Sequence, residues 1–526
     1  MFYGLYSDAP DISDSYSFLD KWVTGPSDPF QSKASALVAF CFPNPSLIAP
    51  GSNAAQGYDV LQGILTADSV KHYLGLYKHY QIHWPMMHMS FNPMQAYDGL
   101  VLTMICIGAV YSDRLSVEEV RWLMEVVRAS VFRSSQVYNV VTQGAQQATD
   151  TIHRSTQVEE IQALVHIHSL FVWHGNETQR QQGRDEFWVL AKVVRQFGLL
   201  QPLPDRHQHH STLHQPGPIY GNEVDNWTWN SWVEQEERAR LMYIVFLIDS
   251  SLTIFFNVQP QFDIYDIKLP LPADDAAWEA TSEEACARAL GLRGQAAQDT
   301  NHAGSRRPKQ LEMSEALQFL HKGGDFPQRA TNAFSKFVLI HAIHVQIFKI
   351  QRQILNINGT PSFPSSGTST PQSNNEWAPT DGDTSNGSSG YATPVEGMSF
   401  QFSQAHQTLR QTVTALDLWK QQWDIDMHIQ YPSNQRRVGF CRDGVHYYFL
   451  AKLFLRSSRR EEWAAPPDVR CQQIFHLLKQ IRAHVASDSA SKGLGVGSIT
   501  TVDDSYGMAG LALNMKLLFT PIATAP

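Results

Sequence analysis

The sequence has few cysteines, and no two of them lie close together. The 526 residues contain five, with no C-x-x-C pair: Cys41, Cys106, Cys286, Cys441 and Cys471. Zinc modules built on local cysteine pairs need close spacing, so this scatter excludes such a module within the chain. It also favours a reducing compartment over a disulfide framework.

Charge is also scarce. Charged residues make up 17% of the chain and the formal net charge is −9, which excludes a protein that coats nucleic acid through positive charge alone. The N-terminus lacks the basic and apolar regions of a signal peptide, and the longest apolar run, 241–258, carries Asp249 at its middle. We therefore expect an intracellular protein that does not span a membrane.

Common catalytic motifs are missing as well. The sequence has no G-x-S-x-G elbow for a nucleophilic serine and no G-x-x-x-x-G-K-[ST] loop for phosphates. No cysteine lies in a recognisable catalytic context. The sequence therefore predicts a protein that is not an enzyme.

What the chain does contain is helical periodicity, most strongly between Ser231 and Phe256. Ser231 and Glu234 match an S-x-x-E capping box, and apolar residues then recur at spacings of 3, 4 and 7. The other faces are also apolar, which predicts a helix at the centre of a large core. Pro260, Pro270 and Pro272 follow and predict an extended arm.

Similar patterns recur along the chain without a convincing alternating strand series. Capping boxes at Ser116/Glu119 and Thr156/Glu159 precede apolar helical stripes, and 176–200 reads as one amphipathic helix with Gly198 as its C-cap. We predict an all-α fold, a multi-helix array or bundle with a long polar disordered insert.

Composition divides the chain into four parts. Residues 1–56 interleave aromatic and acidic side chains and are expected to be loosely structured. Residues 57–357 form the predicted helical domain, and 358–397 are a Ser/Thr/Gly/Pro-rich linker expected to be disordered. Residues 398–526 are predicted to supply further helices of the same region.

Two clusters allow a metal as an alternative interpretation. Asp274, Asp275 and Glu279 read D-D-x-x-x-E, similar to the magnesium–diphosphate motif of all-α terpene cyclases, so the alternative function is a metal-dependent enzyme using Asp274 and Asp275. A helix cap at Asp275 explains the pair more simply, since no second magnesium motif is present. For the histidines at 207–210 and His214 we favour a solvated loop over a transition-metal site.

Four segments carry a resemblance when they are taken together in order: HWPMMHMSF at 83–91, VWHGNETQRQQGRDEFWVLAKVVRQFGLL at 172–200, EERARLMYIVFLIDSSLTIFF at 236–256 and FDIYDIKLPLPADDAAWEA at 262–280. They resemble the fungal-specific transcription factor domain, the helical middle homology region of fungal zinc-finger regulators. The arm is most similar to the branch with two-Cys two-His fingers. The residues that carry the resemblance, and which we expect to be architectural, are Pro85, His88, Phe91, Trp188, Arg195, Gly198, Leu199, Asp249, Leu269, Pro270 and Trp278. We predict no catalytic, cofactor-binding or metal-binding residue.

The resemblance implies a nuclear regulator of RNA polymerase II transcription, controlling metabolic or secondary-metabolite genes. Its implied partners are the transcription machinery or co-regulator proteins, with a small-molecule effector and a homodimer as further options. The family's zinc belongs to a DNA-binding module that this sequence lacks, so DNA contact is expected only through a missing module or a partner. A truncated gene model, a fragment and a regulator that has lost its finger are the alternatives.

Overall fold

Helices form nearly all of the regular structure. The computed structural model describes residues 28–81, 83–143, 154–216, 226–292, 309–323, 331–358, 396–430, 441, 444–456 and 465–491. Within these ranges there is no β-strand, and an isolated bridge pairs Pro270 with Glu312. The predicted all-α fold is confirmed.

The helices are numbered here in chain order. They are α1 (Pro29–Cys41), α2 (Asn53–Ile64), α3 (Ala67–Gln81), α4 (Asp98–Val110), α5 (Val117–Ser134), α6 (Gln136–Gln143), α7 (Arg154–His174), α8 (Glu177–Asp185), α9 (Phe187–Gln196), α10 (Trp229–Phe256), α11 (Asp275–Trp278), α12 (Glu283–Ala289), α13 (Met313–Lys322), α14 (Ala333–Asn358), α15 (Glu396–Gln430), α16 (Gly444–Arg456) and α17 (Pro467–Ser491).

Helix α10 is the central element. It packs against α7 and α9 from the N-terminal half of the chain and against α14 and α17 from the C-terminal half. Every residue from Arg238 to Phe256 is buried, because apolar side chains cover all of its faces. Asn257 ends the helix in the left-handed conformation (φ 60°), and the Val258 N–H donates to the Leu252 carbonyl. The predicted core helix is confirmed.

The two halves form layers around this helix. On the N-terminal side α4 packs against α3, α5 and α7, and α8 packs on α7; on the C-terminal side α14 contacts α15, α16 and α10. One hydrophobic core runs through both halves, from Phe30 to Val485. A smaller cluster, called here the satellite cluster, is built from Leu213, Trp227, Trp232, Ala273, Ala277, Ala280, Cys286, Ala287, Leu290 and Leu292.

Two helical stretches, Trp229–Phe256 and Ala333–Ile354, are long and apolar enough to cross a membrane by length and composition. Their apolar windows are 100% and 89% buried inside the protein. Core helices pass the same test, so these two stretches are weak evidence of membrane insertion.

Two predicted helix starts are wrong in detail. Helix α10 begins at Trp229 with Thr228 at its N-cap, so Ser231 lies inside the helix. Helix α7 begins at Arg154, before the predicted cap at Thr156, and Glu159 instead accepts the Tyr97 N–H at 2.7 Å. The box at Ser116 and Glu119 is confirmed, with both of its hydrogen bonds formed.

The boundaries of two other predicted segments also need correction. The single helix predicted over 176–200 is two helices, α8 and α9, which meet at Glu186. Part of the segment predicted to be loosely structured forms α1, where Asp28 caps the helix through the Phe30 N–H and Pro29 occupies the first turn. Residues 1–27, 359–395 and the helix predicted near 507–519 lie outside the described residues.

Candidate functional site

The polar first half of α10 is buried, which the sequence alone does not reveal. Gln235, Glu236 and Arg240 are each at most 1% exposed. A buried charge needs partners that replace water. Here most of those partners are main-chain groups of other segments, so α10 fixes the arm and loops that pack on it.

The tightest contacts join α10 to Ala273 of the arm. The Ala273 N–H donates to Glu236 Oε1 at 2.8 Å, and Arg240 Nη2 donates to the Ala273 carbonyl at 2.7 Å. Arg240 Nε also donates to Glu236 Oε1 at 2.7 Å. His214 Nε2 lies 3.1 Å from Glu236 Oε2, and these contacts with His214 and Arg240 hold the pKa of Glu236 below its ordinary value despite burial.

Trp278, near the end of the arm, packs against this network. Its ring lies 4.6 Å from the Arg240 guanidinium carbon and 5.0 Å from the His88 ring, and the side chain is 3% exposed. Asn332, the residue before α14, secures the arm because its Nδ2 donates to the Pro272 carbonyl at 2.7 Å. The network therefore lies between the main core and the satellite cluster.

A second group of contacts fixes the loop between α3 and α4. Gln162 Nε2 donates to the Met86 carbonyl at 2.9 Å and to Glu237 Oε1 at 3.0 Å, while the His88 N–H also bonds Glu237. Burial is the main cause that raises the pKa of Glu237 to about 7, with Glu159 and Glu234 contributing.

Asp249 holds the start of the arm. Its carboxylate accepts the Gln261 N–H at 2.9 Å and the Phe262 N–H at 2.9 Å. Burial nonetheless raises the pKa of Asp249 to about 6. Tyr243, six residues earlier on α10, donates its hydroxyl to the Leu269 carbonyl at 2.8 Å. The arm is thus fixed to α10 at three points along its length.

The carboxylate pair does not form a metal site among the described residues. Asp274, one residue before the predicted cap Asp275, is the N-cap of α11 and accepts the Ala276 N–H at 2.8 Å. Asp275 Oδ1 lies 3.8 Å from Arg240 Nη2. No group of three or more His, Cys, Asp or Glu in the described ranges could hold a metal ion.

The residues that carried the resemblance occupy different environments. His88, Asp249, Leu269, Pro270 and Trp278 are buried along the arm and its contacts. Pro85 is partly buried, and Phe91 packs against the main core from a partly buried position.

The four members of the set on α9 and just after it differ more. Trp188 is 51% exposed and so lies outside the core. Arg195 is also exposed and donates to the Gln261 carbonyl at 2.5 Å. Gly198 takes φ +65° after α9, and the Leu199 N–H bonds the Val194 carbonyl, as a C-cap does.

One partner in the network was missed by sequence reasoning. His214, placed with the solvated histidines, is 3% exposed and bonds Glu236 from a 3₁₀ turn. The i,i+4 spacing of Glu236 and Arg240 was the available signal, but it is equally typical of an exposed helical pair. Nothing local in the sequence around 207–214 indicates that this loop folds back on α10.

The described residues define an all-α domain in which buried polar side chains of α10 bind main-chain groups of the arm and of neighbouring loops. The profile of the fungal-specific transcription factor domain matches residues 76–421, more than half of the chain. The chain belongs to this family. Its members are transcription factors and not enzymes, so the metal-dependent alternative at Asp274 and Asp275 is not supported.

Curated relatives agree with this assignment. Zinc finger protein zas1 of Schizosaccharomyces pombe is 25% identical over 224 residues, covering 42% of this chain and 22% of that protein. Transcription factor verF of Penicillium polonicum is 23% identical over 244 residues (44% and 31%). The nicotinate catabolism cluster-specific transcription factor of Emericella nidulans is 22% identical over 285 residues (53% and 28%).

The chain thus spans less than a third of the length of these relatives. No solved structure was found to match it significantly.

Proposed function

We propose that this chain is the regulatory domain of a nuclear regulator of RNA polymerase II transcription, acting on metabolic or secondary-metabolite genes. The observation that carries the proposal is the family match over 76–421, which includes α10, the arm and the contacts between them. One relative points toward gene-cluster control, since it is named for a nicotinate catabolism cluster.

The proposed partners are proteins, namely the transcription machinery or co-regulators. In this proposal DNA is reached through a zinc module outside this sequence or through a partner, and the chain itself uses no cofactor. A small-molecule effector and a homodimer are secondary proposals. An open cleft of about 640 Å³, lined by α8 and the start of α17, is large enough for a small effector.

The domain plan is proposed on the same basis. Helices α15 and α16 follow the predicted linker, yet both pack on α14, which precedes it. This packing supports the proposal that 57–357 and 398–526 belong to one regulatory region. The resemblance residues other than the exposed Trp188 are proposed to be architectural, with Asp249 and Trp278 holding the two ends of the arm.

A tethering experiment tests the regulatory role. The full chain is fused to a heterologous DNA-binding domain, and transcription of a reporter carrying the matching site is measured in a fungal host. We expect reporter transcription to change severalfold relative to the DNA-binding domain alone, with the fusion in the nucleus. Unchanged transcription from a folded, nuclear fusion would contradict the proposal.

A further inference from the structure

Trp188 is an exposed aromatic residue on an otherwise well-buried helix. The other apolar side chains of α9, from Phe187 to Val194, are at most 8% exposed, while Trp188 is 51% exposed. Tryptophan carries a large apolar surface and is enriched where proteins bind one another. An exposed tryptophan on a rigid helix is therefore a candidate docking residue.

Two cations share its face of the helix. Lys192 and Arg195 follow at i+4 and i+7, and both are exposed. Lys192 Nζ donates to the Val141 carbonyl at 2.8 Å and Arg195 to the Gln261 carbonyl, and a neutral acceptor leaves the positive charge available. The Arg195 guanidinium also lies 4.7 Å from the Phe262 ring. We call Trp188, Lys192 and Arg195 the α9 face.

The sequence supplies a segment with complementary chemistry. Residues 1–20 contain four aspartates and no lysine or arginine, and they also hold five aromatic side chains: Phe2, Tyr3, Tyr6, Tyr16 and Phe18. Aromatic side chains in such a segment can pack on Trp188 while its carboxylates approach Lys192 and Arg195. We propose that the α9 face is a docking surface for residues 1–20 of the same chain.

The path from the first described residues to this face is short. Arg133 Nη2 of α5 donates to the Phe40 carbonyl near the end of α1 at 2.8 Å. Arg128, five residues earlier on α5, bonds Glu186 at 2.6 Å, two residues before Trp188. Helix α1 is about 20 Å long, and 28 extended residues span up to roughly 90 Å. Residues 1–20 therefore reach the face easily.

Charge also fixes which side of Trp188 the segment occupies. On the α8 side, the open cleft is lined by Glu177 and Asp185, which repel an acidic segment, while its Asp468 is ion-paired with Arg180 and Arg184. On the other side lie Lys192 and Arg195. The segment is thus placed along the C-terminal part of α9, and Lys192 is the cation to change, because Arg195 also holds the arm.

Fluorine NMR of the full chain tests the docking. The chain contains 13 tryptophans, so the protein is labelled with 5-fluorotryptophan and the Trp188 resonance is assigned by its loss in Trp188→Phe. In the docked chain this resonance is shielded from a soluble paramagnetic agent. Replacing Phe2, Tyr3, Tyr6, Tyr16 and Phe18 with serine should move it and increase its paramagnetic relaxation severalfold, with the other tryptophan resonances unchanged.

Charge reversal provides the matched comparison. Lys192→Glu should have the same effect on the Trp188 resonance, whereas Lys479→Glu, an exposed lysine on α17, should have none. A Trp188 resonance that the serine variant leaves in place would overturn the proposal. So would shielding lost on dilution of the wild-type chain, because the occupant would then be a second copy.

Discussion

Glu236 and Arg240 hold both main-chain groups of the same residue. Glu236 accepts the Ala273 N–H at 2.8 Å, Arg240 donates to the Ala273 carbonyl at 2.7 Å, and the two side chains bond each other at 2.7 Å. All three contacts are buried. The position of the arm relative to α10 therefore depends on this charged pair. Removing either side chain would leave the other charge buried without its partner.

Removing Arg240 should be strongly destabilising. In Arg240→Met the Glu236 carboxylate remains buried beside His214 without its cation, and we expect a loss of about 3–5 kcal/mol in the free energy of unfolding. Urea unfolding measures the loss. The control is Arg114→Met, which breaks an exposed pair with Asp68 and should cost about 1 kcal/mol or less. Equal costs for the two variants would contradict the buried network.

Two tryptophans offer a second comparison. Trp278→Ala empties a site filled between Arg240 and His88 and should cost about 3–5 kcal/mol. Trp188→Ala removes the same side chain from a surface where it is 51% exposed and should cost far less. Thermal unfolding of both variants tests this order, and a melting temperature of Trp278→Ala close to that of the wild type would count against the packing of the arm.

The fold class and the central helix were predictable from the sequence because they depend on local apolar periodicity. Leu241, Ile244, Val245 and Ile248 recur at helical spacing, and side chains on the remaining faces are also apolar, so burial of this segment follows without knowledge of its neighbours. The prolines that exclude a helix from the arm are equally local signals.

The polar network was not predictable because it depends on contacts distant in the chain. Glu236 meets Ala273, 37 residues later, and His214, 22 residues earlier. A charged helical turn has the same spacing whether it lies in solvent or in a core, so Glu236 and Arg240 give no local sign of burial. The exposure of Trp188 is not predictable from the sequence either, because an apolar residue in a helical stripe predicts burial.

The prediction of a helix start is wrong where a capping motif occurs inside a helix. The stability cost of replacing the serine distinguishes a real cap from such a motif. Ser116 accepts the Glu119 N–H at the start of α5, so Ser116→Ala should cost about 1 kcal/mol. Ser231 matches the same motif but lies within α10, so Ser231→Ala should be close to neutral or slightly favourable. Urea unfolding of the two variants distinguishes the real cap from the motif, and a larger loss for Ser231→Ala would contradict the observed start at Trp229.

Glu237 should make stability depend on pH. Burial raises its folded pKa to about 7, above its ordinary value of 4.5, so the folded chain keeps a proton that the unfolded chain releases. Its contribution is fully present below about pH 4.5 and is lost as the pH rises through 7. Glu237→Gln stays neutral and still presents an oxygen to Gln162 and to the His88 N–H. The variant should therefore gain about 1–3 kcal/mol relative to the wild type between pH 4.5 and 7.5.

Urea unfolding across this pH range measures the difference, and taking it between variant and wild type cancels the other titrating groups. The comparison variant is Glu119→Gln, because the pKa of Glu119 is lowered by its bonds to Ser116. Its difference from the wild type should stay nearly constant from pH 4.5 to 7.5, because a lowered pKa moves the titration of Glu119 below this range. A difference for Glu237→Gln that stays constant from pH 4.5 to 7.5 would mean that water reaches this carboxylate and that its contacts with Gln162 and His88 are not enclosed.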